Sequence, residues 1–388
     1  IVILVALCLL VAVPAGAFDA SSVSDAIDRA SDGCRDVSRK IWEWKEPGQK
    51  EFKSAGLLKA ELGKLGYEVA GDLKVPADLV PGGVAKTAFR AEMKGRGPGP
   101  TVTVMLEYDA LANGHACGHS LIASSGLLAA AGLAQAMKHL PGRVLVIGTP
   151  DEERGSLGGG KVALLEGGHF EVSDVVYITH PSDRWSLDQR LLAMKRALFT
   201  FKGKSAHAAA APHKGVNALR GVLLTFSCVD SLREHLRQDV RVHGIVTKGG
   251  ERVNVVPAEA QAEFAVRALD TATMEDAYAR VVNCARAAEL GTGAKLEFRE
   301  PRVSLKAPIF VEPLIRSVRQ SLVSQGVGPE KLKDFDEIAS SDLGVVGYAY
   351  PTVDVWFRVA PGGTALRSDA LRAAANTDEA WEAPVQVA

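Results

Sequence analysis

The sequence has no long basic run, no CxxC pair and no internal repeat, and only 6% of its 388 residues are aromatic. Without a basic block, and with a net charge of −1, it lacks the electrostatic footprint of a nucleic-acid binder. Scattered cysteines exclude a dense disulfide framework. Few aromatics, with abundant Ala and Gly, fit an α/β enzyme better than a β-sandwich. A chain of this length, 47% hydrophobic, is too long for one ordinary core and implies two domains.

Only the opening stretch, IVILVALCLLVAVPAGAFDA, is membrane-like. Its apolar run ends at Pro14, short of the roughly 20 residues that span a bilayer. Ala15-Gly16-Ala17 follows as a small-residue cleavage pattern. The expectation is a signal peptide over residues 1–17, an extracytoplasmic location and no membrane association after cleavage. Cys8 would leave with it. One disulfide can form among Cys34, Cys228 and Cys284, with no pairing fixed by sequence.

From residue 101 strand and helix patterns alternate. TVTVMLE, RVLVIGTP and VVYITH read as buried strands, and residues 120–139 as an Ala/Leu-rich helix between the first two. This predicts a mostly parallel sheet flanked by helices. After about residue 191 the pattern becomes β-α-β-β-α-β, a ferredoxin-like unit inserted over 191–307. A catalytic domain over 18–190 and 308–388 would surround it.

Four stretches collect potential metal ligands at the ends of predicted strands, where active sites of open α/β sheets gather. EYDALANGHACGHS holds Asp109, His115, Cys117 and His119. GTPDEERG holds Glu152 and Glu153. YITHP ends on His180. SAHAAAAPHKG, in the insertion, holds His207 and His213. A thiolate and an imidazole two residues apart in a Gly-containing turn can face one divalent ion. Paired glutamates can divide labour, one as ligand and one as general base. Singly, each has a blander reading: Cys117 as a buried thiol, the glutamates as a solvated helix start, His180 as a core histidine. Their joint placement at strand ends favours a metal site.

HACGH before a small-residue helix, then GTPDEERGSLGGGK, then a strand ending in His, resembles the aminoacylase/carboxypeptidase metallopeptidases. The likeness is to the subfamily of N-acyl-amino-acid amidohydrolases, indoleacetyl-amino-acid hydrolases and β-alanyl-lysine-type dipeptidases. EYDAL looks most like the dipeptidase branch. IWEWKEPGQKEFKSAGLLKAELGKLGYEV resembles the family's first two helices, and FTFKGKSAHAAAAPHKGVNAL its lid domain. The resemblance implies hydrolysis of an amide bond in an N-acyl amino acid or dipeptide, with one or two zinc or manganese ions. It implies Cys117, His119, Glu153 and His180 as metal ligands, Glu152 as general base and Asp109 orienting a ligand. It further implies His207 stabilising the oxyanion in a partner subunit, Asn254 and Arg267 holding the substrate carboxylate or the developing oxyanion, and a homodimer.

One position departs from the pattern. Where the family carries a last histidine ligand, before a C-terminal helix, this chain has Arg367, which cannot coordinate a metal. The histidines stop at His243. Either catalysis runs on one ion, with Arg367 supplying charge where the second would sit, or the protein is an impaired relative that binds ligand.

Overall fold

The computed structural model describes residues 21–153, 159–187, 190–332 and 339–388. The signal peptide expected at residues 1–17, and residues 154–158 of the glutamate motif, lie outside them. The described residues form two compact units: those up to Arg190 together with Pro308–Ala388, and Leu191–Ala307.

In chain order the elements are α1 (Ser21–Trp44), α2 (Phe52–Lys64), β1 (Glu68–Lys74), β2 (Val84–Lys94), β3 (Thr101–Leu106), α3 (His119–Ala136), β4 (Arg143–Gly148), α4 (Gly159–Glu166) and β5 (Val175–Ser182). The second unit supplies β6 (Ala193–Lys202), α5 (Ala218–Leu232), β7 (Arg241–Lys248), β8 (Glu259–Ala268), α6 (Thr271–Thr292) and β9 (Lys295–Phe298). The chain then returns to the first unit with α7 (Glu312–Ser324), α8 (Leu343–Ala349), β10 (Thr352–Arg358), α9 (Asp369–Ala374) and α10 (Glu382–Val387).

The first unit is built on a six-stranded sheet in the order β1-β2-β4-β3-β5-β10. β4, β3, β5 and β10 run parallel, and β1 and β2 pair antiparallel at one edge. Every residue of β3 is buried, as expected of a central strand covered on both faces. α3 carries no charged residue beyond His119 at its start and is buried along nearly its whole length. α1 is amphipathic instead: Val23, Ile27, Cys34, Val37 and Ile41 recur at helical spacing and are buried. β1 and β2 were not expected from the sequence. β1 buries only Leu73, so it shows no period-two hydrophobic signal. α1 begins at Ser21, well before the IWEW motif that marks its end.

The second unit is a four-stranded antiparallel sheet, β7-β8-β6-β9, packed with α5 and α6. β8 alternates strictly between buried and half-buried positions, the mark of a sheet with one covered face. Asn217 and Asp270 cap the two helices through their side-chain oxygens. Cys228 on α5 and Cys284 on α6 form a disulfide, with Cα atoms 5.4 Å apart. Cys34 and Cys117 are free thiols. Among the described residues, no helix is long and apolar enough to cross a membrane.

Candidate metal centre

Three parallel strands of the first unit end at one cluster. β3 runs into Glu107 and Asp109, β4 leads to Glu152 and Glu153, and β5 carries His180. The HACGH turn delivers Cys117 and then His119, the first residue of α3. Gly118 between them has φ +72°, and a Cβ there would lie 2.3 Å from Pro181 Cγ. Only glycine meets both demands without strain. The glutamates follow a second left-handed residue, Asp151 at φ 67°, whose backbone N–H donates to Glu51 Oε1 at 2.9 Å.

Asp109 ties the two motifs together. Its Oδ1 is 2.9 Å from His119 Nδ1, and its Oδ2 accepts the Glu153 backbone N–H at 2.9 Å. His180 is held in the same way: its Nδ1 is 2.8 Å from Asp354 Oδ1, and Asp354 Oδ2 accepts from Trp356 Nε1 at 2.7 Å. The Trp356 ring stacks on the His180 ring with centroids 4.7 Å apart. A carboxylate on Nδ1 fixes the ring and leaves Nε2 as the donor, the usual arrangement of metal-binding imidazoles.

Two donor sets share His119. Cys117, His119 and Glu153 bring ligand atoms within 4.8 Å of one another, and so do Glu107, His119 and Glu152. Among the described residues, six carboxylates (Glu107, Asp109, Glu152, Glu153, Asp342 and Asp354) meet two permanent cations, Lys161 and Arg367. Burial lowers the proton affinity of His180, but the Asp354 and Glu107 carboxylates carry it up to about 10. A field that holds a proton there favours a divalent cation in its place. The donors and the charge both fit a metal ion.

Glu152 is buried and accepts a hydrogen bond from Ser341 Oγ at 3.0 Å. Burial and the Glu107 carboxylate push it up to about 7, with Lys161 pulling the other way. Arg367 fills part of the thiol side: its guanidinium is 3.1 Å from Glu153 Oε2. Burial and Glu153 push the Cys117 thiol up, and Arg367 opposes them.

His115 stays out of the ligand set. It is buried, 2.9 Å from the Ile41 carbonyl oxygen, and pushed down to about 4 chiefly by burial. His207, Asn254 and Arg267 belong to the second unit. There His207 Nδ1 accepts the backbone N–H groups of Ala209 and Ala210, the Asn254 carbonyl accepts from Ala208 N, and Arg267 is half-buried on β8. His213 is exposed.

Four residues of the cluster, Glu107, Lys161, Asp342 and Asp354, were not expected from the sequence. Lys161, in the GGGK motif, is fully buried, with its Nζ 2.7 Å from Glu107 Oε1 and 2.6 Å from Asp342 Oδ1. Gly159 makes room for this: a Cβ there would meet Asp342 Oδ2 at 2.1 Å.

The profile of a peptidase dimerisation domain, that of the M20 peptidases, matches residues 193–292. The chain is 35% identical to the mouse Xaa-Arg dipeptidase over 354 residues, 87% of this chain and 79% of the relative. It is 32% identical to one chain of the p-aminobenzoyl-glutamate hydrolase of Escherichia coli over 299 residues, 71% of this chain and 59% of that one. The fold matches a dinuclear metal-binding M20 peptidase from Bacillus subtilis with a TM-score of 0.68 at 19% identity, covering 93% of this chain and 98% of that one. This chain belongs to the M20 family of peptidases, metal-dependent hydrolases of amide bonds.

Proposed function

We propose that the protein hydrolyses dipeptides, those with a basic carboxyl-terminal residue first among them, with N-acyl amino acids as the neighbouring class. The observation that carries this reading is Glu152, a buried carboxylate held by Ser341 beside two oriented imidazoles. The mouse and human relatives, at 35% and 29% identity, are Xaa-Arg dipeptidases, which supports the choice of substrate.

Cys117, His119, Glu153 and His180 are the residues that would hold a divalent cation, with Glu107 and Glu152 beside them; zinc and manganese both suit such donors. When bound, the ion polarises the amide carbonyl and lowers the pKa of water. Glu152 takes a proton from water and passes it to the departing amine. Asp109 and Asp354 hold the two imidazoles in orientation. His207 stabilises the oxyanion from a partner subunit, and Asn254 and Arg267 clamp the substrate carboxylate, a planar guanidinium being suited to two-pronged pairing.

The working form is a homodimer. The dimerisation-domain match and the exposed Ile245 and Val246 on the edge strand β7 support this. A leader over residues 1–17 would direct the chain out of the cytoplasm, where a bond such as Cys228–Cys284 persists.

The test is hydrolysis of a panel of Xaa-Arg, Xaa-Lys and β-alanyl dipeptides and N-acyl amino acids by zinc- or manganese-loaded protein, beside Glu152→Ala. Turnover lost in the variant supports the proposal. A variant as active as the parent removes Glu152 from its role. The second reading, a ligand-binding relative, draws on the Arg367–Glu153 pair. It gains if the loaded protein binds dipeptides and cleaves none.

A further inference from the structure

We propose that Lys161, Asp342 and Ser341 are positioning residues for Glu152. The buried Lys161–Asp342 pair fixes Ser341, and Ser341 holds one oxygen of Glu152 so that the other, Oε2, carries the proton from water to the departing amine. This rests on the hydrolytic reading above and names the atoms that would make it work.

The two oxygens of Glu152 have different surroundings. Ser341 Oγ donates to Oε1 at 3.0 Å. The same Oγ accepts the backbone N–H of Leu343, the first residue of α8, at 3.2 Å. A hydroxyl has a single proton to give. With its lone pair taken by Leu343, Ser341 turns that proton onto Glu152. Oε2 is left on the side of the donor cluster, 3.8 Å from His119 Nε2. The grip is neutral: the nearby ammonium of Lys161 is committed elsewhere, to Glu107 Oε1 at 2.7 Å and Asp342 Oδ1 at 2.6 Å.

Ser341 is fixed through its neighbour. Asp342 is fully buried, and Lys161 engages both of its oxygens: Nζ on Oδ1, and the backbone N–H on Oδ2 at 3.2 Å. Two contacts on one carboxylate set its angle as well as its distance. The turn continues into α8, with the Ser341 carbonyl accepting Gly344 N–H and the Asp342 carbonyl accepting Val345 N–H. α4, which carries Lys161, is docked on the other partner too. A Cβ at Gly159 would lie 2.1 Å from Asp342 Oδ2, and one at Gly160 would lie 1.9 Å from the carbonyl oxygen of Pro150, two residues before Glu152. One helix therefore sets both the segment that grips and the segment that is gripped. A buried ion pair adds little net stability, since desolvation offsets its attraction. What this pair adds is a fixed place for Ser341.

The test uses the full chain loaded with zinc and compares the parent with Ser341→Ala, Asp342→Asn and the double variant. Ser341→Ala leaves the buried pair whole, so it reports on the grip even where Asp342→Asn harms the fold. Each single variant is expected to lose about 10–100-fold in kcat on a dipeptide, with KM within about 3-fold and the zinc content of the parent. The double variant should be no slower than the slower single one, because both cut the same arm. Crystal structures of the parent and of Ser341→Ala need no turnover. The Glu152 carboxylate is expected in one position in the parent and displaced by about 1 Å or more in the variant, with His119 and His180 unmoved. A Glu152 that stays in place without the Ser341 hydroxyl, or a Ser341→Ala protein with the kcat of the parent, overturns the proposal. If the loaded parent cleaves no dipeptide, the hydrolytic reading fails, and the position of Glu152 in the two crystal structures decides this one.

Discussion

Arg367 reaches Glu153 from a left-handed backbone position, φ 63°, and its guanidinium lies 3.1 Å from the carboxylate. An arginine thus neutralises a carboxylate that, by the family pattern, would share an ion with a histidine at the same position. Replacing Arg367 with His should remove that neutralisation and add a donor. Metal analysis of the Arg367→His protein is expected to find one more ion per chain than in the parent. An unchanged content would show that residue 367 does not govern the second site.

Asp354 bridges His180 and Trp356 at the end of the cluster. Asp354→Asn keeps its shape and weakens its grip on the ring. Metal affinity should fall by about 10–100-fold, as for other partners of metal-binding imidazoles. Thermal stability should change by less than about 1 kcal/mol. Loss of stability without loss of affinity would mean that Asp354 serves packing alone.

Gly118→Ala places a methyl group against Pro181 in a backbone conformation that alanine disfavours. The cost should be on the order of 2–4 kcal/mol in chemical denaturation. Because the turn also aims Cys117 and His119, metal affinity should fall with it.

Glu51 is fully buried, and burial, with Asp109 and Asp151 nearby, pushes it from 4.5 up to about 7. A carboxyl group whose folded pKa is raised favours folding while it is protonated. That contribution is fully present below about pH 4.5 and is lost as pH rises through about 7. Glu51→Gln should remove this part of the pH dependence and raise stability at pH 8 by about 1–3 kcal/mol. Parallel denaturation curves for both proteins across pH 5–8 would refute it.

Cys34 is buried, and burial pushes its thiol up to about 12. With Cys228 and Cys284 joined, native protein should resist labelling at Cys34, and denaturation without reductant should expose it. Reducing the disulfide, which closes a loop with a sequence separation of 56, should cost about 2–4 kcal/mol.

Much of the fold can be read in one dimension because its strands are extreme. β3 and β4 are rich in Val, Leu, Ile and Met and buried almost without a break, as central parallel strands covered on both faces are. The inserted β-α-β-β-α-β unit is legible from the order of its strand and helix patterns, helped by the strict alternation of β8. β1 is not, because a strand with one buried residue has no pattern to find. In the site, the dense motifs HACGH and DEE stand out. Lys161 does not: a lysine after three glycines reads as a solvated helix start. Its burial depends on Asp342, 181 residues away. Glu107 is hidden for a similar reason, since a charged residue ending a strand is ordinary until Lys161 and two imidazoles are seen around it. The disulfide partners likewise need the approach of α5 to α6.

The stack of Trp356 on His180 gives this protein a built-in optical reporter. An imidazolium quenches indole emission at contact, and an imidazole that gives up its proton to another cation quenches differently. The filling of the site should therefore be visible as a change in intrinsic fluorescence, with no label, no chromogenic substrate and no turnover.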